Sequence, residues 1–329
     1  MISFIKRVIR AVMKPFKLMW KQFPQFENFL SLLKSENYQF LRIAPPGHFY
    51  SPIPDTKEIR SNSKSIFDRS AKKIPGVDIN EDTQLSLAHK FISFYGDMPF
   101  SDNKVEHYRY YLDNSYFSYG DGLSLYSMMR LFKPKRIVEV GSGFSSAAML
   151  DIDERFFKGQ IEFTFIEPYP DRLLNLLTEK DMERCNILKE PVQEVPTHHF
   201  DNLCENDILF IDSSHVAKMH SDVLHIIFTI LPSLKKGVLI HFHDILWPFE
   251  YSQIWFDYGR AWNEIYFIRA FMQYNKSFEI LYSNSYMEVH HESFLRDNMP
   301  LMLKTPSSDL TLGNTSLWIR KMLYQNVGD

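Results

Sequence analysis

Beyond residue 135 the chain alternates short apolar runs with longer amphipathic stretches, and this alternation sets the expected fold. The runs 136–140, 162–166, 207–211 and 237–242 are too short for helices and close on polar or small residues, as strands buried on both faces of a parallel sheet do. Helical spacing fills the intervals at 145–153, 171–180 and 216–234, the last interrupted near its end by Pro232. A helix over 262–274 then precedes two late strands, 278–282 and 316–321. Upstream, 119–130 has a helical pattern that runs into Lys133-Pro-Lys. Residues before about 100 show no strand alternation and hold a Pro-rich stretch, Ala44-Pro-Pro-Gly-His-Phe-Tyr-Ser-Pro-Ile-Pro54. The pattern predicts an α/β sheet with helices on both faces, preceded by a helical or irregular N-terminal extension. The expected divisions are a basic segment 1–23, an extension or cap 24–118, and a sheet domain 119–329.

Charge changes this picture only at the N-terminus. Lys and Arg number 37 against 40 Asp and Glu, so the overall balance excludes a general polyanion binder, and no basic patch marks a specific nucleic-acid partner. Residues 1–23 contain no acid, and Lys6, Arg7, Arg10, Lys14, Lys17 and Lys21 are spaced among Phe4, Ile5, Val8, Ile9, Val12 and Met13. This is an amphipathic helix that rests either on an anionic membrane surface or partner, or on its own domain. Its basic residues interrupt the apolar run too often for a signal peptide or a membrane span. Cys185 and Cys204 stand in no metal-ligand spacing and read as reduced thiols, so the expected location is cytoplasmic, with the basic helix as a peripheral membrane contact.

The chemistry concentrates at strand ends. Arg136-Ile-Val-Glu-Val-Gly-Ser-Gly-Phe-Ser-Ser-Ala-Ala-Met-Leu reads as a buried strand, a glycine turn and the start of a helix, in which Gly141 and Gly143 clear Cβ atoms from the path of a ligand. Glu167 closes the next strand at about the 20-residue spacing of a ribose-binding carboxylate. A nicotinamide enzyme would use similar parts. Against it, Ser146 stands where the dinucleotide fingerprint has its third glycine, and Glu139 places a charge inside the strand.

Four motifs in order, Val138-Glu-Val-Gly-Ser-Gly-Phe144, Phe165-Ile-Glu-Pro-Tyr169, Ile211-Asp-Ser-Ser-His215 and Ile240-His-Phe-His-Asp244, resemble those of class I S-adenosylmethionine-dependent methyltransferases over roughly residues 120–321. The resemblance implies a Rossmann-like, doubly wound sheet of seven strands with an antiparallel last strand. It also implies S-adenosyl-L-methionine bound by Glu139, Gly141, Ser142, Gly143, Ser145, Glu167, Pro168 and Asp212. Glu139 would face the methionine end of the cofactor, Glu167 the ribose, and the Ser145 hydroxyl would be offered to the cofactor carboxylate.

Asp212, His243 and Asp244 end neighbouring strands, so their side chains can converge beside the cofactor as ligands of Mg²⁺ or another divalent cation. That set resembles the metal-dependent O-methyltransferases of the methyltransferase-24, macrocin and cephalosporin-hydroxylase-like group. His243 departs from it by replacing a carboxylate, which favours an imidazole-tolerant ion; hydrogen bonding of the pair without metal is the alternative. Catalytic roles are expected for His215, as the base that takes a hydroxyl proton, and for Asp212. His215 is expected at the start of the following helix, and His241 is read as structural.

The aromatic stretch after the fifth strand predicts a pocket wall of Trp247, Tyr251, Trp255, Arg260, Trp262 and Asn263, with Trp247, Tyr251, Arg260 and Asn263 as substrate residues and His48 and Tyr50 on a lid. The leading expectation is methylation of a hydroxyl on a small molecule or glycan. A metal-free N- or O-methyltransferase and a catalytically silent cofactor-fold module remain as alternatives.

Overall fold

The computed structural model describes residues 38–308 and 312–322. The basic segment 1–23 lies outside the described residues. The chain divides into two compact units, Met1–Ser63 and Lys64–Asp329. In the first, helix Thr56–Ser61 is capped by Asp55, whose carboxylate accepts from the Lys57 amide at 2.7 Å. His48 and Tyr50 belong to this unit; there the Tyr50 amide donates to Nδ1 of His48 at 3.2 Å.

The second unit is built on a seven-stranded sheet: β1 (Arg136–Val140), β2 (Glu162–Ile166), β3 (Asn186–Leu188), β4 (Ile208–Ile211), β5 (Leu239–Phe242), β6 (Phe278–Ser283) and β7 (Leu317–Lys321). Its spatial order is β3-β2-β1-β4-β5-β7-β6. Pairing is parallel from β3 through β5, and β7 runs antiparallel to both β5 and β6, as the motif resemblance implied. β4 and β5 are buried along their whole length, which explains their unbroken apolar sequence. β3 escaped the sequence reading because it is an edge strand of three residues that begins with an exposed Asn.

Between β1 and β4 the chain direction of the crossovers reverses, and the strand ends part there into a crevice. Gly141 sets how closely the two ends approach. At φ +79° it lies in the left-handed region, and a Cβ on it would stand 1.8 Å from the backbone oxygen of Asp212.

Helices depart from expectation where local caps win. The stretch 171–180 is two helices, Asp171–Leu174 and Glu179–Arg184, because Thr178 and Asp181 form a reciprocal capping box that starts the second. The helix predicted over 216–234 begins only at Asp222, capped by the Ser221 hydroxyl. Residues between β4 and that cap form a loop, held by the Asp222 carboxylate, which accepts from the amide and hydroxyl of Ser214 at 2.7 and 2.6 Å. His215 therefore sits on a loop at φ +60°, and not at a helix start.

Residues 64–118, expected as an extension, belong to the same compact unit as the sheet. Helix α1 (Glu81–Tyr95) packs on α2 (Tyr119–Phe132) and on β6. Its buried Gln84 accepts from the Ser283 amide at 2.8 Å. The loop between α1 and α2 is fastened by Arg109, which is largely buried among Asp151, Asp181 and Glu154, each within 2.8 Å. Those acids hold the guanidinium charged despite the cost of burial.

Gly141→Ala should lower unfolding stability by about 2–4 kcal/mol, since it combines backbone strain with a main-chain clash. Urea denaturation checks this; an unchanged midpoint would mean the two strand ends are not locked together at that residue.

Candidate functional site

Successive main-chain bonds carry the strand ends toward one cavity. The Gly141 amide donates to the Ile166 carbonyl at 3.0 Å, Asp212 to Val140 at 2.8 Å, and His243 to Ile211 at 2.9 Å. The cavity has a volume of about 370 Å³ and is lined by Gly141, Ser142, Glu167, Asp212, Ser213, His215, His243 and Asp244 from these ends. Ser115, Tyr116, Arg172, Trp255, Arg260, Trp262 and Leu312 complete it. The Arg109 anchor thus has a consequence at the site, because the loop it fastens delivers Ser115 and Tyr116 to the wall.

Glu167 accepts one N–H on each oxygen, from Ser142 at 3.1 Å and Tyr169 at 2.8 Å. Both oxygens keep capacity for further donors such as sugar hydroxyls. The Ser142 hydroxyl is buried and makes no hydrogen bond of good geometry among the described residues, which leaves a polar atom for a ligand to satisfy. A nucleoside cofactor fits these residues: a bare glycine floor, a buried hydroxyl and a carboxylate in reach.

Glu139 is fully buried and does not line the cavity. Its carboxylate accepts from the hydroxyls of Ser145, at 2.5 Å, and Ser146, while the Ser146 oxygen accepts from the Gly143 amide at 2.9 Å. Glu139 therefore ties the glycine turn to helix α3 (Phe144–Ile152), and the Ser145 hydroxyl is occupied by that tie. Gly143 lies inside the same turn, against Arg172, and Pro168 is exposed; neither lines the cavity. Burial pushes the Glu139 carboxyl up to about 8, against the pull of its serine donors.

At the floor, the predicted chemical residues do come together. Nε2 of His215 is 3.3 Å from Asp212 and 3.5 Å from Asp244, and Nδ1 of His243 is 3.4 and 3.6 Å from the same two acids. The outward ring nitrogens also face acids. Nδ1 of His215 is 2.9 Å from Glu264, and Nε2 of His243 is 3.6 Å from Asp121. Asp121 is itself fully buried and accepts from the Thr315 and Ser316 amides, both at 2.8 Å, and from the Asn284 amide group at 2.9 Å. Burial opposes charge on both imidazoles, but the acids prevail: His215 is pushed up to about 10 and His243 well above its ordinary value. The imidazoles in turn hold Asp212 far below the carboxylate range, despite burial.

Asp212, His243 and Asp244 thus meet as charge pairs, with His215 among them. Among the described residues no group of three or more His, Cys, Asp or Glu side chains is arranged to hold a metal ion. The donor types suit a divalent cation, but the distances are those of acids answering imidazoles.

The expected substrate wall is only partly present. Arg260 lines the cavity with Trp255 and Trp262. Trp247 is buried elsewhere and donates its indole N–H to the Ala71 carbonyl. The buried Tyr251 hydroxyl accepts from the Ile265 amide at 3.2 Å. Asn263 pins the 215 loop, accepting from the Ala217 amide at 2.6 Å and donating to its carbonyl at 3.2 Å. His241 is buried, stacked on Phe210 and bonded to Ser316 at 2.8 Å.

Sequence reasoning missed Glu264, Asp121, Arg172, Ser115 and Tyr116. The first two carried a usable signal, an acid in the first turn of an otherwise apolar helix; Ser115 and Tyr116 lie in a stretch without periodicity.

A family of methyltransferase domains matches residues 138–245, the span that holds the glycine turn, Glu167, His215 and Asp244. Residues 138–245 thus carry a methyltransferase domain, set in the sheet order of the class I, S-adenosylmethionine-dependent fold. The methyltransferase is 38% identical over 173 residues to an uncharacterized protein of Archaeoglobus fulgidus, covering 51% of this chain and 76% of that one. Among solved structures it is similar to the S-adenosylhomocysteine-bound methyltransferase PaMTH1 of Podospora anserina, at 15% identity and a TM-score of 0.35, over 82% of this chain and 98% of that one. The O-methyltransferase TomG of Streptomyces achromogenes, in complex with S-adenosylmethionine, gives 12% identity and a TM-score of 0.37, over 80% and 96%. At these scores the likeness adds no weight to the sheet order and the family match.

Since Glu139 binds a proton more tightly when folded, its contribution to stability is full below its ordinary value of 4.5 and is lost as pH rises toward about 8. Glu139→Gln should remove that decline, so its melting temperature should vary less between those pH values than that of the wild type. Parallel curves for the two proteins would contradict the assignment.

Proposed function

We propose that this methyltransferase methylates a hydroxyl on a small molecule or glycan, with His215 as the base. The observation that carries the reading is the Glu264–His215–Asp212 line at the cavity floor, beside the glycine turn and Glu167. Glu264 accepts from Nδ1 of His215 and so leaves Nε2 facing the cavity. The cofactor supplies an electrophilic methyl group on a sulfonium. Held against Asp212 and His215, the acceptor hydroxyl gives its proton to Nε2 as its oxygen takes the methyl, and the bond from methyl carbon to sulfur breaks. Glu264 then steadies the imidazolium formed. Glu167 orients the donor through its ribose, and Gly141 with Ser142 lets it approach the main chain. Alignment of donor and acceptor supplies most of the acceleration.

A second reading is favoured by one observation. Each imidazole turns one nitrogen toward an outer acid and the other toward Asp212 and Asp244, which is the orientation that histidine ligands take around a metal. In that reading Asp212, His243 and Asp244 would hold a divalent cation that lowers the acceptor's pKa.

Calorimetry should show S-adenosylhomocysteine binding that weakens at least ten-fold in Glu167→Ala; no binding to the wild type would leave only a silent module of this fold. His215→Asn should lower methyl transfer about 10²- to 10⁴-fold with cofactor affinity retained, and unchanged turnover would remove it as base. Because the raised proton affinity keeps the resting ring charged near neutrality, wild-type turnover should climb as the pH rises toward about 10. Activity that survives dialysis against a chelator selects the metal-free reading, and activity restored only by added cation selects the second.

A further inference from the structure

On the cavity wall formed by Trp255 and Trp262, a cation has no acid to answer it among the described residues. Arg260 is half-buried, and its guanidinium carbon stands 4.5 Å from the ring centre of Trp262 and 5.2 Å from that of Trp255. No ion pair among the described residues includes it, in a cavity that also holds Asp212, Asp244 and Glu167. The loop is shaped to present it. Gly259 takes φ +79°, its amide donates to the Phe256 carbonyl at 2.9 Å, and the Arg260 amide donates to the Trp255 carbonyl at 3.0 Å. A Cβ on Gly259 would meet nothing, so the glycine is there for its backbone conformation, which folds the chain back and lays the arginine across the indoles.

The order of groups along the wall fixes what such an arginine can do. The Trp262 ring lies 4.4 Å from that of His215 and 4.5 Å from the Arg260 guanidinium carbon. The same indole therefore touches both the reacting imidazole and the guanidinium. A guanidinium held over aromatic rings is partly stripped of water, while N–H groups turned away from the rings can grip a carboxylate or phosphate by two parallel bonds. Beside His215 the acids outnumber the imidazoles, so an anion is better placed at Arg260 than there. Charge thus orients the acceptor, hydroxyl toward His215 and acid toward Arg260.

We infer that the acceptor carries an anionic group, carboxylate or phosphate, besides the hydroxyl that is methylated, and that Arg260 binds it. This rests on the O-methyl-transfer reading and names the class of its substrate.

The test titrates the protein loaded with S-adenosylhomocysteine with benzoate, phenyl phosphate and phenol, following tryptophan fluorescence. At least one anion should bind ten-fold or more tighter than phenol; which of the two is favoured tells carboxylate from phosphate. Arg260→Gln should abolish the preference with S-adenosylhomocysteine affinity retained, and Arg260→Lys, which keeps the charge without the planar fork, should retain part of it. Equal binding of anions and phenol, or a preference that survives Arg260→Gln, overturns the inference. Should the Gln variant lose its cofactor affinity, Arg260→Lys decides: a preference undiminished there counts against the planar grip. Repeating the titration without S-adenosylhomocysteine reads loss of cofactor binding, which would sink the methyltransferase reading, separately from loss of the anion preference.

Discussion

Everything at this site depends on the contact between Gly141 and the main chain of Asp212. No other residue type leaves room for that contact, since a Cβ would stand 1.8 Å from the Asp212 oxygen. The approach closes the end of β1 onto the loop after β4, at the point where the sheet's crossovers change direction. Glu167 then lies within reach of the Ser142 amide, and Asp212 hangs over the same crevice. Glu139 supports the turn from below through two serine hydroxyls, at the cost of burying a carboxyl. A carboxyl inside the sheet is expensive to desolvate, and its retention marks a place where the turn's shape outweighs stability.

The floor of the cavity is an exercise in mutual compensation. Two imidazoles and four acids lie in a region with little water, where any one of them alone would shift toward its neutral form. Together they hold Asp212 ionised and both rings basic. Loop residues make this possible: Asn263 and the start of the helix Glu264–Met272 dock on the main chain of the 215 loop, with the Asn263 and Glu264 amides donating to the His215 carbonyl at 3.0 and 3.1 Å. The reacting ring is thereby fixed from two elements far apart in sequence.

How much of this was legible beforehand follows from what each signal encodes. The central strands, the glycine turn and Glu167 were readable because buried parallel strands have unbroken apolar sequences and their last residues face one edge. Asp212, His215, His243 and Asp244 converge for the same reason. Side-chain direction was not readable. Glu139 points down to Ser145 and Ser146 because of its place in the strand's pleat, and Trp247 and Asn263 turn to main-chain partners that only the folded loops supply. The placement of α1 was not readable either, because it depends on long-range partners, Gln84 to Ser283 and Phe91 to Tyr282, which leave no periodic trace.

The most direct measurement is a crystal structure of the protein with S-adenosylhomocysteine. The account predicts ribose hydroxyls bonded to Glu167 and the sulfur beside Gly141, facing Asp212 and His215. A nucleoside bound away from the β1 turn, with Glu167 making no contact to its sugar, would contradict it.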